Sequence, residues 1–297
     1  MDNPGGYELL DVGDGARLER FGERIIDRPH PAALGARREP GAWSTADLRF
    51  DRDGGWTGSR LDQGPWPLTV DGLTLELRPT EAGQVGIFPE HLHMLDWLRA
   101  AVRDYEGATK GATSGADGVA SPPPSVLHLF AYTGLATLAL AAAGATVTHV
   151  DSARPTVAWA RRNAQLAGLA ERPIRWIVDD ALAFAEREVR RGRRYSGLVL
   201  DPPSYGHGPT GRPWRLADHV ERLLETCARL VESAGFVLLT AHTPGYEGDV
   251  LASMLGRAVD RPAAVVEHGE LVLRSRAGHR LELGGFARWR ARASCAA

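Results

Sequence analysis

VLHLFAYTGLATLALAAAGATVTHVDSARPTVAWARRNAQLAGL, residues 126–169, switches twice between two periods. VLHLF (126–130) and TVTHVD (146–151) are short apolar runs of strand length. GLATLALAAAG (134–144) and RPTVAWARRNAQLAG (154–168) carry helical spacing. The alternation continues through strand RWIVDD (175–180), helix ALAFAEREVRR (181–191), strand YSGLVLD (195–201), helix RLADHVERLLETCARLVES (215–233) and strand GFVLLTAH (235–242). A further helix is predicted near 249–259, and GELVLRS and HRLELGGFARWR close the pattern as two strands. Such β/α alternation predicts an α/β fold: a seven-stranded, mostly parallel, Rossmann-like sheet covered by helices on both faces.

Upstream, residues 1–85 are rich in Gly, Pro, Trp and Asp, with short alternating runs such as GLTLELRP (72–79), and are predicted to form a β-rich N-terminal module. The main domain is expected over 86–297. It opens on FPEHLHMLDWLRAAVRDY (88–105), an amphipathic helix with Pro89 tolerated at its start. EGATKGATSGADGVASPPPS (106–125) offers little to bury and is expected to be a flexible linker or loop. There is no internal repeat.

With 297 residues and 43% hydrophobic content the chain can bury a large core. Lys plus Arg (35) balance Asp plus Glu (37), so no global field selects nucleic acid or membrane. Cys227 and Cys295 make neither a disulfide framework nor a zinc spacing, which fits a cytoplasmic location. The N-terminus lacks a signal pattern, and no apolar stretch approaches the ~20 residues of a membrane helix. Nothing in the sequence indicates oligomeric state.

In open α/β sheets ligands lie beyond the carboxyl ends of the strands. Here those ends read FAYTG (130–134), Asp151 with Ser152, Asp179 with Asp180, and Asp201. A carboxylate after the second strand suits ribose hydroxyls. There is no GxGxxG or GxxxxGK[ST], so the backbone cradle for a pyrophosphate or triphosphate is missing. A ribose-bearing, phosphate-free and cationic ligand fits, and S-adenosylmethionine is one. Asp151 would then hold the ribose, Asp179 or Asp180 the adenine, and the Tyr132–Gly134 turn the methionine portion. Each acid alone reads equally well as a helix N-cap.

VLDPPSYGHG (199–208) follows the fourth strand. Pro202 and Pro203 fix φ and donate no hydrogen bond, so with Asp201 and Ser204 they form a stiff corner whose acceptors can hold an amine or ring nitrogen facing a methyl donor. Tyr205 can stack on a base, a contact of roughly 1–3 kcal/mol. The alternative is a strand-stopping turn.

These runs, with WIVDDA and VLDPPSYGHG, resemble the class I S-adenosylmethionine-dependent methyltransferases, and within them the branch that modifies cytosine carbon 5 or guanine nitrogen 7 of large-subunit ribosomal RNA. YELLDVGDGARLERFGERIIDRP and GIFPEH resemble a related bacterial subgroup. The resemblance implies cofactor contacts at Phe130, Tyr132, Thr133, Gly134, Asp151, Ser152, Asp179 and Asp180, with Asp201 facing donor and acceptor and Phe88 near the cofactor. One departure matters. The resembling family carries a cysteine just after the fifth strand, whereas LLTAHTPGY has Ala241 and His242 there. Carbon-5 attack needs a thiolate, so a nitrogen acceptor is expected.

His91, His93, His207 and His242 lack metal-ligand spacing, and no metal is expected. His242 is a candidate substrate contact and base. EREVRRGRR (186–194) and RWRAR (288–292) are RNA-phosphate candidates, or simply solvated helix ends. Trp43, Trp56 and Trp66 would line a base-binding surface or pack as core. The expected activity is methylation of a nucleobase nitrogen in ribosomal RNA. Action on a small molecule or protein, and a non-catalytic cofactor-binding module for RNA assembly, are the alternatives.

Overall fold

The computed structural model describes residues 6–112, 122–208, 213–276 and 278–291. Two compact units result: Met1–Leu92 with Arg162–Ala167 and Leu271–Leu283, and His93–Arg161 with Gly168–Glu270 and Gly284–Ala297.

In the first unit, β1 (Tyr7–Gly13), β2 (Ala16–Phe21), β3 (Arg24–Pro29), β4 (Leu48–Asp51) and β5 (Gly55–Thr57) make one sheet in that order. β6 (Trp66–Val70) and β7 (Leu73–Leu77) form a hairpin. Asp71 and Gly72, both at positive φ, turn it, as expected for a tight Asp-Gly hairpin. Trp66, Leu68 and Val70 alternate inward and are buried, with Pro67 and Thr69 outward. Trp43 is likewise buried, and Trp56 donates its indole N–H to the Thr80 carbonyl at 2.7 Å. These tryptophans therefore serve as core and packing groups.

The chain continues with α1 (Leu92–Ala112), whose backbone runs into the stretch expected to be a linker. β8 (Ser125–Leu129) starts at the end of that stretch, and residues 113–121 lie outside the described ones. The chain then runs α2 (Leu135–Ala142), β9 (Thr146–Asp151), α3 (Arg154–Leu166), β10 (Ile174–Val178), α4 (Ala181–Arg190) and β11 (Tyr195–Leu200). A small hairpin, β12 (Tyr205–His207) and β13 (Pro213–Arg215), precedes α5 (Leu216–Ala228), β14 (Val231–Ala241), α6 (Gly248–Ala258), β15 (Glu267–Arg274) and β16 (Arg280–Arg290). The sheet order is β10-β9-β8-β11-β14-β16-β15. Its first five strands are parallel, and β16 is antiparallel to β14.

Central strands are covered on both faces, which explains their continuous apolar runs. Leu127, Leu129, Leu198, Leu200, Val237 and Leu239 pack against Phe184 of α4, Leu223 of α5 and Leu251 of α6. Phe236, on the other face, meets the Trp97 ring of α1 at 6.0 Å. Gly197 makes room for that phenyl ring, since a Cβ there would lie 2.2 Å from it.

The helix predicted over 215–233 ends early, at Ala228. Val231 already pairs with Tyr195, and the next partner pair is Gly197 with Phe236, so residues 232–235 are absorbed in a bulge. Among the described residues no helix is long and apolar enough to cross a membrane.

Candidate active site

Leu200 of β11 pairs with both Leu129 of β8 and Leu239 of β14. Phe130, Asp201 and Thr240 therefore stand at one level on the carboxyl rim of three adjacent strands. The β8 turn is strained there. Phe130 (φ 56°), Tyr132 (φ 49°) and Gly134 (φ 92°) occupy the left-handed region alternately, which costs about 1–3 kcal/mol for each non-glycine residue. The surroundings over-determine it. Ala131 N–H donates to the Val150 carbonyl at 3.1 Å, and Tyr132 N–H to Asp151 Oδ2 at 2.9 Å. The Phe130 ring packs on Trp214 at 4.9 Å. At Gly134 a side chain would be strained by φ, and its Cβ would stand 3.3 Å from that of Ala160. Thr133 is buried within the turn.

Beneath the turn, the Thr137 hydroxyl sits 2.8 Å from His128 Nδ1 and 2.9 Å from His149 Nδ1. These histidines are register partners on β8 and β9. A hydroxyl has one proton, so it donates to one ring and accepts from the other, fixing opposite tautomers. Burial foremost, and then the neighbouring His128 and Arg161, hold the His149 pKa well below the usual histidine value, so it stays neutral. Thr137→Val keeps the shape and strands both imidazole nitrogens. It is expected to destabilise the protein by about 1–3 kcal/mol in chemical denaturation.

Asp151 closes β9 with each carboxylate oxygen accepting a backbone N–H, Oδ2 from Tyr132 and Oδ1 from Ala153 at 3.0 Å. Burial raises its pKa, and those hydrogen bonds oppose the rise. Ser152 follows, half-buried. Beyond β10, Asp179 N–H donates to the Asp151 carbonyl at 3.0 Å, so the two acids are adjacent. Asp179 Oδ1 accepts the Asp180 N–H at 2.9 Å, and its Oδ2 is ion-paired with Arg187. Asp180 caps α4, accepting the Ala183 N–H at 2.8 Å, which is the capping role that its position also allowed.

The Asp201 corner is fixed from β14 and β13. Thr240 Oγ1 donates to Asp201 Oδ1 at 2.6 Å, and His242 Nε2 lies 3.5 Å from the same oxygen. Pro202 is buried, while Pro203 is exposed and accepts the Trp214 indole N–H at 2.7 Å. Ser204 Oγ meets Thr243 Oγ1 at 2.6 Å, and its carbonyl accepts the Leu216 N–H. Tyr205 is 55% exposed.

A crystal structure of a SAM-dependent methyltransferase from Agrobacterium tumefaciens superposes with TM-score 0.85 at 36% identity, covering 97% of this chain and 91% of that one. The chain belongs to the SAM-dependent methyltransferases. The ribosomal RNA large subunit methyltransferase K/L of Methylococcus capsulatus is 35% identical over 137 residues, 45% of this methyltransferase but only 18% of that protein. SMU.776, solved with S-adenosylhomocysteine (SAH), shares the fold at TM-score 0.72 and 14% identity, over 97% of this chain and 76% of that one. No family model matches.

The residues present fit the methyltransferase cofactor, S-adenosylmethionine (SAM). A carboxylate offers about four lone-pair sites, so Asp151 retains acceptor capacity for a ribose hydroxyl beside the backbone donors of Tyr132, Ser152 and Ala153. Cys227 is buried inside α5, and burial pushes its thiol up to about 12, so no thiolate nucleophile arises there. Cys295 and Arg292 lie outside the described residues, as does the His207 side chain.

In the basic clusters, Arg187 pairs with Asp179, Arg191 with Glu188 at 2.9 Å, and Arg290 with Asp104 at 2.5 Å. Arg288 pairs with Glu267 and lies over Trp97. Internal pairing accounts for these arginines. His93 is exposed, and Phe88 sits in the first unit with its ring 5.8 Å from His91. Sequence reasoning missed Trp214 and Thr240. Thr240 was reachable, being two residues before His242 on a strand paired with β11. Trp214 carried no signal, because its hairpin reads as a Gly/Pro loop.

Proposed function

We propose that this methyltransferase modifies a nitrogen of a nucleobase in ribosomal RNA. What supports this most is the stiff Asp201-Pro202-Pro203-Ser204 corner, with exposed Tyr205 beside it and His242 Nε2 facing Asp201 Oδ1 at 3.5 Å. In this reading Asp151 and Ser152 hold the ribose of SAM, Asp179 and Asp180 border the adenine, and Phe130, Tyr132, Thr133 and Gly134 cradle the methionine portion. Bound SAM supplies an electrophilic methyl group on a cationic sulfur.

Asp201 and the Pro202 carbonyl hold the acceptor nitrogen with its lone pair toward that methyl, which is catalysis by orientation. Thr240 fixes the Asp201 rotamer. The Asp201–His242 pair receives the proton that the nitrogen sheds. Tyr205 stacks on the base. A nitrogen needs no enzyme thiolate, in keeping with His242 at the end of β14 and the deeply buried Cys227. The ribosomal target is suggested by the relative from Methylococcus capsulatus.

Mass spectrometry of ribosomal RNA from a strain lacking the gene tests this. One methylated nucleoside should disappear and return on incubation with the enzyme and SAM. An unchanged set of modifications would refute the ribosomal target.

A further inference from the structure

We propose that Trp214 is a positioning residue that keeps the two halves of the site in register. Its indole N–H donates to the Pro203 carbonyl at 2.7 Å, and the same ring packs on Phe130 at 4.9 Å. One side chain thus touches both the corner assigned above to the acceptor and the strained turn assigned to the donor, and the inference rests on those two assignments.

Trp214 is itself held. It is 6% exposed, projects from the short strand β13, and stacks on the His219 ring of α5 at 5.1 Å with 23° between planes. β13 pairs directly with β12, placing Tyr205 opposite Arg215 and Gly206 opposite Trp214. The Leu216 N–H, two residues on, donates to the Ser204 carbonyl at 3.1 Å. Any swing of the proline corner would therefore break the indole bond or drag the ring off Phe130.

Prolines make the tether effective. Neither Pro202 nor Pro203 has an N–H with which neighbouring strands could fix it, and Pro203 is exposed. The corner is stiff within itself, but its direction relative to the β8 turn depends on bonds from outside. Thr240 fixes the carboxylate of Asp201 and Thr243 the hydroxyl of Ser204, both from the β14 side. Among the described residues, Trp214 is a side-chain connection to the β8 side. A misplacement near 1 Å between reacting groups costs about 10²-fold in rate, so a group setting this registration governs turnover more than cofactor affinity.

Trp214→Phe tests this, because it retains an aromatic ring on the Phe130 side and removes the indole N–H donor. Two readouts are taken on the same protein. Hydrogen exchange of peptides covering residues 204–206 should quicken at least about tenfold, with exchange at 126–135 and calorimetric SAH affinity within about threefold of wild type. With methyl-labelled SAM and unmodified ribosomal RNA, kcat should fall about tenfold or more while KM for RNA changes less.

Unchanged exchange at 204–206 would overturn the tether. So would a fall in SAH affinity that tracks the fall in kcat. Should the wild-type enzyme label no ribosomal RNA, the substrate reading fails, and the exchange and affinity measurements still decide the role of Trp214.

Discussion

Asp201→Ala is expected to abolish methyl transfer, lowering kcat by about 10²–10⁴-fold, while SAH binds within a few-fold of wild type. The carboxylate stands at the end of the central strand, paired by Thr240 at 2.6 Å and faced by His242 at 3.5 Å. In the proposed mechanism its loss removes both the orienting acceptor and one member of the proton-receiving pair. Folding is not expected to suffer, because the Asp201 side chain is not part of the core below Leu200. Thr240→Val should give a smaller loss in the same direction, since Asp201 remains but its rotamer is no longer fixed. Label transfer from SAM into unmodified ribosomal RNA measures both. Undiminished transfer by Asp201→Ala would remove this residue from the mechanism.

Asp151→Ala has the second large effect, on affinity rather than turnover. Hydrogen bonds to a charged acceptor contribute about 1.5–3 kcal/mol each, so losing the ribose contact should weaken SAM binding by roughly tenfold or more. The substitution also strands the Tyr132 N–H that Asp151 accepts at 2.9 Å, loosening the turn.

The same residue sets a pH dependence. Burial raises the pKa of Asp151 above the ordinary carboxylate value of 3.8. Its contribution to the stability of the cofactor-free protein is therefore present at low pH and lost as pH rises through the raised value. With Asp151 on the ribose as proposed, cofactor affinity runs oppositely: the ionised carboxylate is the better acceptor, so affinity should be full above that pKa and decline as pH falls through it. The decline should begin at higher pH than for an unperturbed aspartate, and Asp151→Asn should abolish it. Calorimetric titration with SAH across the acid range checks both, and a flat wild-type profile would contradict the role given to Asp151.

Period alone made the sheet legible. β9 begins and ends where its alternation does, and the other strands and helices read from the sequence in the second unit differ mainly at their ends, whereas the β12–β13 hairpin was not read. The exception, α5, was read too long because VES (231–233) continues the amphipathic pattern, and only the pairing of Val231 with Tyr195 turns it into strand. At the site, the rim acids were readable because strand ends in such sheets carry ligands. Their internal partners were not. Nothing in the sequence says that Arg187 reaches Asp179, or that Asp180 rather than its neighbour caps α4. The left-handed φ of Phe130 and Tyr132 was invisible, because aromatic residues carry no preference for that region, and Gly134 alone hinted at it. The His128–Thr137–His149 chain required knowing which residues of β8 and β9 stand opposite one another.

A crystal structure of this methyltransferase with SAH tests the central claim most directly. A ribose hydroxyl should donate to Asp151, with the sulfur lying between the Phe130–Gly134 turn and the Asp201 corner. A nucleoside bound away from β9, leaving Asp151 bonded to backbone N–H groups alone, would contradict it.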